Sequence, residues 1–436
     1  MVQENFGEKL LEIGNLLKIW SRRKLTLIGK ITVLKTLIMP KIVHLLTVLP
    51  SPSFDKLKKL DTLFFRFLWD NKPDKIKRDV LCKSIEEGGL NMIDVFSFNK
   101  SLKLSWIKRL VSTESPWVKL FEIITGANVN VINFGDVSLE RNRNKINPFW
   151  IEVANYWSIF YTKWFKRNVC DIDILSTSLW SNSLITIGHK PVYYHKFVEK
   201  KILFIHDLLN ERNVFYTHEE IESTFKLGSN FMQYLSLISA VKTFLRKHSD
   251  YPQFRKTFGP VLPLSMTILE KCSSCRGIYK VLSYTHVIPT AQKTYSNEGL
   301  SFQKDVWKQY YIMPFQCTRD TSPLYFQYKI LHRVLATNSV LFKIGIADSD
   351  ACTFCQQFSE TIQHIFFDCE KTSSFLSDVH RGLLAKTNIN VKFDRKCIIF
   401  GNNYEYAPIS KESLNMFLLL LENLFTYRKL ENAHQN

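Results

Sequence analysis

Ala351-Cys-Thr-Phe-Cys-Gln-Gln-Phe-Ser-Glu-Thr-Ile-Gln-His-Ile-Phe-Phe-Asp-Cys369 carries the densest chemistry in this chain. Cys352, Cys355, His364 and Cys369 read as C-x2-C-x8-H-x4-C. Two thiolates on a tight turn, an imidazole and a third thiolate make a closed tetrahedral set for Zn2+, structural rather than catalytic because no coordination position stays open. Glu4 and Glu8 interrupt the start and no apolar secretory core follows, so a reducing compartment is expected, where clustered cysteines more often bind metal than pair. Small buried thiols are the alternative for the same residues. The pattern predicts Cys352 and Cys355 on a turn and a helix over Thr361 to Cys369. Ile365 and Phe366 should point inward, with Phe354 over the metal. Cys272-Ser-Ser-Cys275 has no further His/Cys pair at metal spacing and reads as incidental.

A chain of 436 residues is too long for one domain; 45% hydrophobic and 14% aromatic residues suffice for packed cores. Lys plus Arg number 58 against 40 Asp plus Glu, a net charge of +18 that favours a polyanionic partner. No apolar run approaches the ~18 residues of a membrane span, so no membrane role is expected.

Working outward, most segments carry helical stripes. In Phe54 to Trp69 the apolar residues Leu57, Leu60, Phe64, Phe67 and Leu68 recur at helical spacing, with Lys56, Lys58, Lys59 and Arg66 on other faces. Leu25 to Met39 is apolar nearly all round and reads as a buried helix, broken or kinked by Pro40. Gly88-Gly89 reads as a turn, Asn91 to Phe98 as a short extended piece, and a helix follows through Trp106 and Leu110. Tyr194 to Leu209, Glu219 to Phe225, Tyr325 to Leu335 and Leu414 to Phe425 also read as helical; Tyr251-Pro252 and Gly259 to Pro263 read as linker. The fold class expected is mainly α: several helical subdomains, few short strands and a small zinc knuckle.

No phosphate loop, nucleophile elbow or H-E-x-x-H occurs, and no two aspartates are adjacent. Two-metal nucleotidyl transfer needs clustered carboxylates; Asp171/Asp173 and Asp348/Asp350 read better as solvated acids or caps. The basic residues do cluster. Arg22, Arg23, Lys24, Lys30 and Lys35 fall within fourteen positions, and Lys75, Lys77 and Arg78 form a second group. On one continuous helix Arg23 would align with Lys30, and Lys24 with Lys35. These eight are the candidate nucleic-acid contacts, with solvated helix ends as the bland alternative.

Three segments together resemble the C-terminal part of LINE-class (non-LTR) retrotransposon reverse transcriptases. The first is Trp20-Ser-Arg-Arg-Lys-Leu-Thr-Leu-Ile-Gly-Lys-Ile-Thr-Val-Leu-Lys35, leading to Pro40; the second is Phe67-Leu-Trp69 with Gly88-Gly-Leu-Asn-Met-Ile-Asp94 and Ser101 to Trp106. The third runs from Phe326-Gln-Tyr-Lys329 through Leu335-Ala-Thr-Asn338 and Ile344-Gly-Ile346 into the cysteine motif, with the helix, the Thr-Asn and the Glu-Thr-x-x-His in the family's order. The resemblance implies a thumb-like helical domain over 1–115, a helical connector over 116–325 and a zinc-binding C-terminal domain over 326–436. It implies no enzyme, since the family's endonuclease, fingers and palm aspartates have no counterpart and Met1 falls at what would be the palm–thumb junction. The expected function is a non-catalytic nucleic-acid-binding fragment contacting RNA or template-primer; a structural zinc protein serving protein interactions is the alternative. RNA and/or DNA are the expected partners, with association with an intact retroelement protein, in the cytoplasm and nucleus.

Overall fold

The helices follow from apolar spacing, and the helix Pro148–Asn168 is the clearest case. Phe149, Val153, Trp157, Phe160 and Trp164 recur every three or four residues and are all buried. Phe54–Leu68 repeats the pattern, burying Leu57, Leu60, Phe64, Phe67 and Leu68 as their spacing requires. The structure, a computed structural model, describes residues 2–112, 114–125, 144, 146–168, 174–248, 264–272, 274–388, 390–391, 393–401 and 410–420. Among them the protein is mainly α-helical, and its sheet is the antiparallel pair Thr186–Ile187 and Lys190–Pro191. Expected linkers at Tyr251-Pro252 and Gly259 to Pro263, and the tail beyond 420, lie outside the described residues. No single described helix is long and apolar enough to cross a membrane.

The contacts group into two compact units, each assembled from separated stretches: 1–9, 42–58 and 95–284 in one, 10–41, 59–94 and 285–436 in the other. Segment 1–115 is therefore shared between the two.

In the first unit, Pro148–Asn168 packs against Val95–Ser112, which in turn packs against Cys275–Leu282. Leu104, Ile107, Trp157, Phe165, Ile278 and Leu282 meet in one core. Residues 47–51 are tied in by polar groups: the Trp106 indole N–H donates to the Thr47 carbonyl at 2.9 Å, Lys103 to that of Leu49, and the Ser51 amide to Glu152 at 2.8 Å. The helix expected over Tyr194 to Leu209 is broken. His195–Glu199 is a short helix and Ile205–Leu208 a 3-10 turn. Lys201 between them takes a left-handed conformation, with φ of 60°. The Asp207 carboxylate explains the break, capping the amides of Leu203 and Phe204 at 2.8 and 2.9 Å.

In the second unit, Leu27–Val33 runs into a π turn at Leu34–Ile38; Pro40 then opens the helix Pro40–Val48, of which only the first two residues belong to this unit. Leu25 to Met39 is not buried all round: Thr32, Lys35, Thr36 and Leu37 are exposed. The turn at Gly88-Gly89 is dictated sterically. Gly88 has φ of +83°, and a Cβ on Gly89 would sit 2.0 Å from the Lys83 carbonyl oxygen. Against this turn packs Thr321–Leu331, whose Tyr328 hydroxyl donates to the Gly88 carbonyl at 3.3 Å. His332, at the end of that helix, is buried between Tyr328 and Tyr311, with ring centroids 4.2 and 5.7 Å away.

Burial pushes the His332 pKa down to about 4, against a smaller opposing pull from the Gly88 carbonyl. The folded chain thus keeps His332 neutral where the unfolded chain, titrating near 6.5, binds a proton. Its contribution is complete above about pH 6.5 and is lost as pH falls toward 4. In denaturant titrations between pH 7 and 4, the parent should lose roughly 3 kcal/mol more than His332→Phe; equal losses would refute this.

Candidate metal centre

The cysteine turn is closed by backbone pairing. Ala351 bridges Ser359, and the Cys352 amide donates to the Phe358 carbonyl at 2.7 Å. Within the loop the Gln356 amide reaches the Cys352 carbonyl at 2.9 Å, and the Phe354 amide points at the Cys352 sulfur at 3.4 Å. The other two ligands come from a short helical segment that widens into a π turn at His364–Asp368. There the Cys369 amide donates to the His364 carbonyl at 2.8 Å, five residues back. This departs from the regular helix expected, for a geometric reason. At α-helical steps, residues five apart point roughly 140° from one another; the wider turn returns His364 and Cys369 to one side, a use of π turns that recurs at functional sites. Cys369 then starts the helix Glu370–Thr387.

The four ligand atoms all lie within 4.8 Å of one another. Cys355 Sγ is 3.3 Å from His364 Nε2, and Cys352 Sγ is 4.0 Å from Cys369 Sγ. A tetrahedral Zn2+ with bonds near 2.3 Å sets sulfurs about 3.8 Å apart, so the donor set fits zinc; a disulfide at about 2.05 Å does not match. Cys352 and Cys369 are fully buried and His364 nearly so. Burial pushes the Cys352 thiol up to about 12. Burial acts the same way on Cys355, but the amides of Gln357 and Phe358 and the neighbouring His364 outweigh it and hold its thiol at about 6. Ile365 and Phe366 point into the core as expected, and Phe354 packs partly buried against it.

Two residues beyond the ligands organise the loop. Glu360 has no exposed surface, and its carboxylate accepts from the Asn338 amide at 2.9 Å, the Thr353 amide at 2.9 Å and the Thr353 hydroxyl at 2.6 Å. Asn338 in turn donates from its side chain to the Ala351 carbonyl at 2.8 Å. Sequence reasoning noted the Thr-Asn and Glu-Thr pairs without a role, because the bond that joins them spans 22 positions. Behind His364, Arg395 donates to the Gln363 side chain and lies 3.5 Å from Glu298, which also pairs with Arg333 at 2.7 Å.

All eight basic candidates fall in this same unit, but not on one continuous helix. Val2–Ser21 ends before Arg22, and Leu27–Val33 begins only after Thr26, whose hydroxyl accepts from the Gly29 amide at 3.2 Å. Arg22, Arg23 and Lys24 sit exposed on the intervening loop, with the Arg23 guanidinium 4.7 Å from the Trp20 ring. Lys30 is buried, 2.6 Å from Asp70 and 3.3 Å from the Leu68 carbonyl. Arg78 is held by Asp61 at 2.6 Å and Asp74 at 2.7 Å. Both are occupied within the fold. Lys35 is exposed although it reaches the Asn91 carbonyl at 3.2 Å, and Lys75 and Lys77 are exposed. The expected rows of aligned charges do not form. Of the acid pairs, Asp171 and Asp173 lie outside the described residues; Asp348 is exposed, and the Asp350 carbonyl accepts the Glu360 amide at 2.7 Å.

Residues 284–375 match the family described as zinc-binding in reverse transcriptase. A putative ribonuclease H protein of Arabidopsis thaliana is 27% identical over 127 residues, 28% of this chain. The aligned part spans about one fifth of that relative's length. Together these likenesses support a retroelement-derived protein with a zinc-binding region, in which Cys352, Cys355, His364 and Cys369 could hold the metal.

Metal analysis of the purified protein should find one zinc per chain, and its removal by chelation should unfold the surroundings of the loop, since binding a structural metal supplies folding free energy. His364→Ala should abolish retention; less than half a zinc in folded parent protein would exclude the site. Glu360→Gln replaces a carboxylate acceptor with an amide that has one oxygen for three donors. It should cost about 1–3 kcal/mol and raise the zinc dissociation constant 10–100-fold. Unchanged affinity and stability in that variant would remove Glu360 from this role.

Proposed function

We propose that this chain is a non-catalytic nucleic-acid-binding piece of a LINE-class (non-LTR) retrotransposon reverse transcriptase, with thumb-like residues over 1–115, a connector over 116–325 and a zinc-binding end over 326–436. The observation that carries the reading is the company the zinc centre keeps. A reverse-transcriptase-type zinc-binding region and the exposed cations Arg22, Arg23, Lys24, Lys35, Lys75 and Lys77 belong to one compact unit. The +18 surplus supplies the long-range attraction that a polyanion feels. Backbone contacts from such side chains position a duplex or RNA without reading its sequence. The absence of adjacent aspartates supports the lack of polymerase chemistry. RNA, DNA and an intact retroelement protein are the partners this role implies, in the cytoplasm and nucleus.

A second reading, a zinc-stabilised protein-interaction module, is favoured by the exposed Phe342, Ile344, Ile346 and Phe358 around the metal loop. Salt dependence separates the two.

The parent should bind structured RNA and duplex DNA with little sequence preference, log K falling by about 0.9 per phosphate neutralised on duplex. Replacing Arg22, Arg23, Lys24, Lys35 and Lys77 together with Gln should weaken both ligands alike and flatten that slope. Lys30→Gln, by contrast, should lower thermal stability and leave the slope alone. Equal affinity and slope in parent and quintuple variant would shift the choice to the protein-interaction reading.

A further inference from the structure

The four residues of the zinc set differ in their access to solvent. Cys352 and Cys369 have no exposed surface, and His364 is nearly as deep. Cys355 alone among the four is half-buried, and Gln356, Gln357, Phe358 and Ser359, which follow it, are all exposed. Its sulfur therefore marks the outer edge of the set, 3.3 Å from His364 Nε2. Cys352 lies three positions earlier on the same loop, and the two sulfurs are within 4.8 Å of each other. That loop is closed on itself: the Cys352 amide donates to the Phe358 carbonyl at 2.7 Å, and the Gln356 amide to the Cys352 carbonyl at 2.9 Å. Cys369 is tied elsewhere. Its amide belongs to the π turn, and its carbonyl accepts from the Ser373 amide at 2.8 Å at the start of Glu370–Thr387. A disulfide needs sulfurs about 2.05 Å apart. Bringing Cys355 onto Cys352 is a change inside one loop, whereas bringing it onto Cys369 displaces a helix end.

We propose that Cys355 is a site of oxidation by hydrogen peroxide, with Cys352 as its resolving thiol, and that their disulfide discharges the metal. The proposal rests on the zinc reading of this set. The thiolate is the reactive form of cysteine, and exposure decides which thiolate an oxidant meets first. The Cys355 thiolate attacks one peroxide oxygen: an S–O bond forms, the O–O bond breaks, sulfur gives up two electrons and hydroxide leaves. The Cys352 thiolate then attacks the sulfenic sulfur: an S–S bond forms, the S–O bond breaks and a second hydroxide leaves. Two protons from solvent turn both hydroxides into water. Zinc has no redox chemistry and departs as Zn2+, because His364 and Cys369 supply only two of the four donors that a structural site needs. The disulfide closes within the loop that Glu360 anchors, so a thiol reductant can restore the set by exchange.

The test treats the full zinc-loaded chain with hydrogen peroxide, reading released metal with a chromogenic chelator and cysteine products by mass spectrometry. One zinc should leave for each Cys352–Cys355 disulfide formed. Dimedone present during the treatment should trap the sulfenic acid on Cys355, and dithiothreitol with added zinc should restore both thiols and metal. Cys272→Ser/Cys275→Ser, which removes the chain's other Cys-x-x-Cys pair, should release zinc at the parent's rate. Dimedone found first on Cys352 or Cys369, a Cys355–Cys369 bond, or zinc retained after Cys352 and Cys355 have paired each overturns the proposal, as does slower release in the double variant. No zinc in the folded parent overturns the zinc reading itself. Zinc that is held by the parent and left in place by peroxide overturns this inference alone.

Discussion

A carboxylate with no exposed surface, Glu360, ties the cysteine turn to a separate segment of the chain. Glu360 is sequestered from water, yet its oxygens are satisfied by two amides and a hydroxyl drawn from two separate segments. Charge-assisted bonds of this kind are about twice as strong as neutral ones, and any donor left behind by their loss would be buried without a partner. The carboxylate therefore fixes where the Cys352–Cys355 turn lies relative to Asn338, and Asn338 returns a bond to Ala351 at the mouth of the same turn. Glu360 and Asn338 thus help set the position of the turn that carries Cys352 and Cys355, and a zinc held by this set would join that turn to His364 and Cys369.

From the other side, the π turn at His364–Asp368 is held by its own supports. The Thr372 hydroxyl donates to the Ile365 carbonyl at 2.8 Å, and Arg395 reaches Gln363. Ile365 and Phe366 face the core that also contains Tyr295, Trp307, Phe326 and Phe400. The site is thus bonded to loop on one side and to core on the other. That division suits a structural metal: it staples a small irregular segment, which buries little apolar surface of its own, to a helical body that does.

The basic residues divide by a different constraint. A cation drawn into a fold needs a partner, because desolvation outweighs its other interactions. Lys30 finds Asp70 and the Leu68 carbonyl; Arg78 finds two aspartates. Arg22, Arg23 and Lys24 stand on a loop in solvent and owe no such debt. Neighbours in sequence thus serve opposite ends: Lys30 is spent on an ion pair within the fold, while Arg22, Arg23 and Lys24 stay exposed.

Sequence alone determined what short-range chemistry dictates. The cluster that could hold zinc was legible because zinc selects residue types at fixed spacing. The stripe of Leu57, Leu60, Phe64, Phe67 and Leu68 was legible because helical period is local, and the Gly88-Gly89 turn because a Cβ there meets backbone. Tertiary structure alone decided the rest. Whether Lys30 is a contact or an ion pair depends on Asp70, forty positions away. Glu360 acquires its role from Asn338, and Thr321–Leu331 meets the Gly88 turn across 240 positions through Tyr328. Two stretches within the first hundred residues, 10–41 and 59–94, join the unit that holds the zinc end. None of these can be read from periodicity, because a partner for a buried charge or an orphan amide is chosen by what the folded chain brings near, and sequence distance carries no record of it.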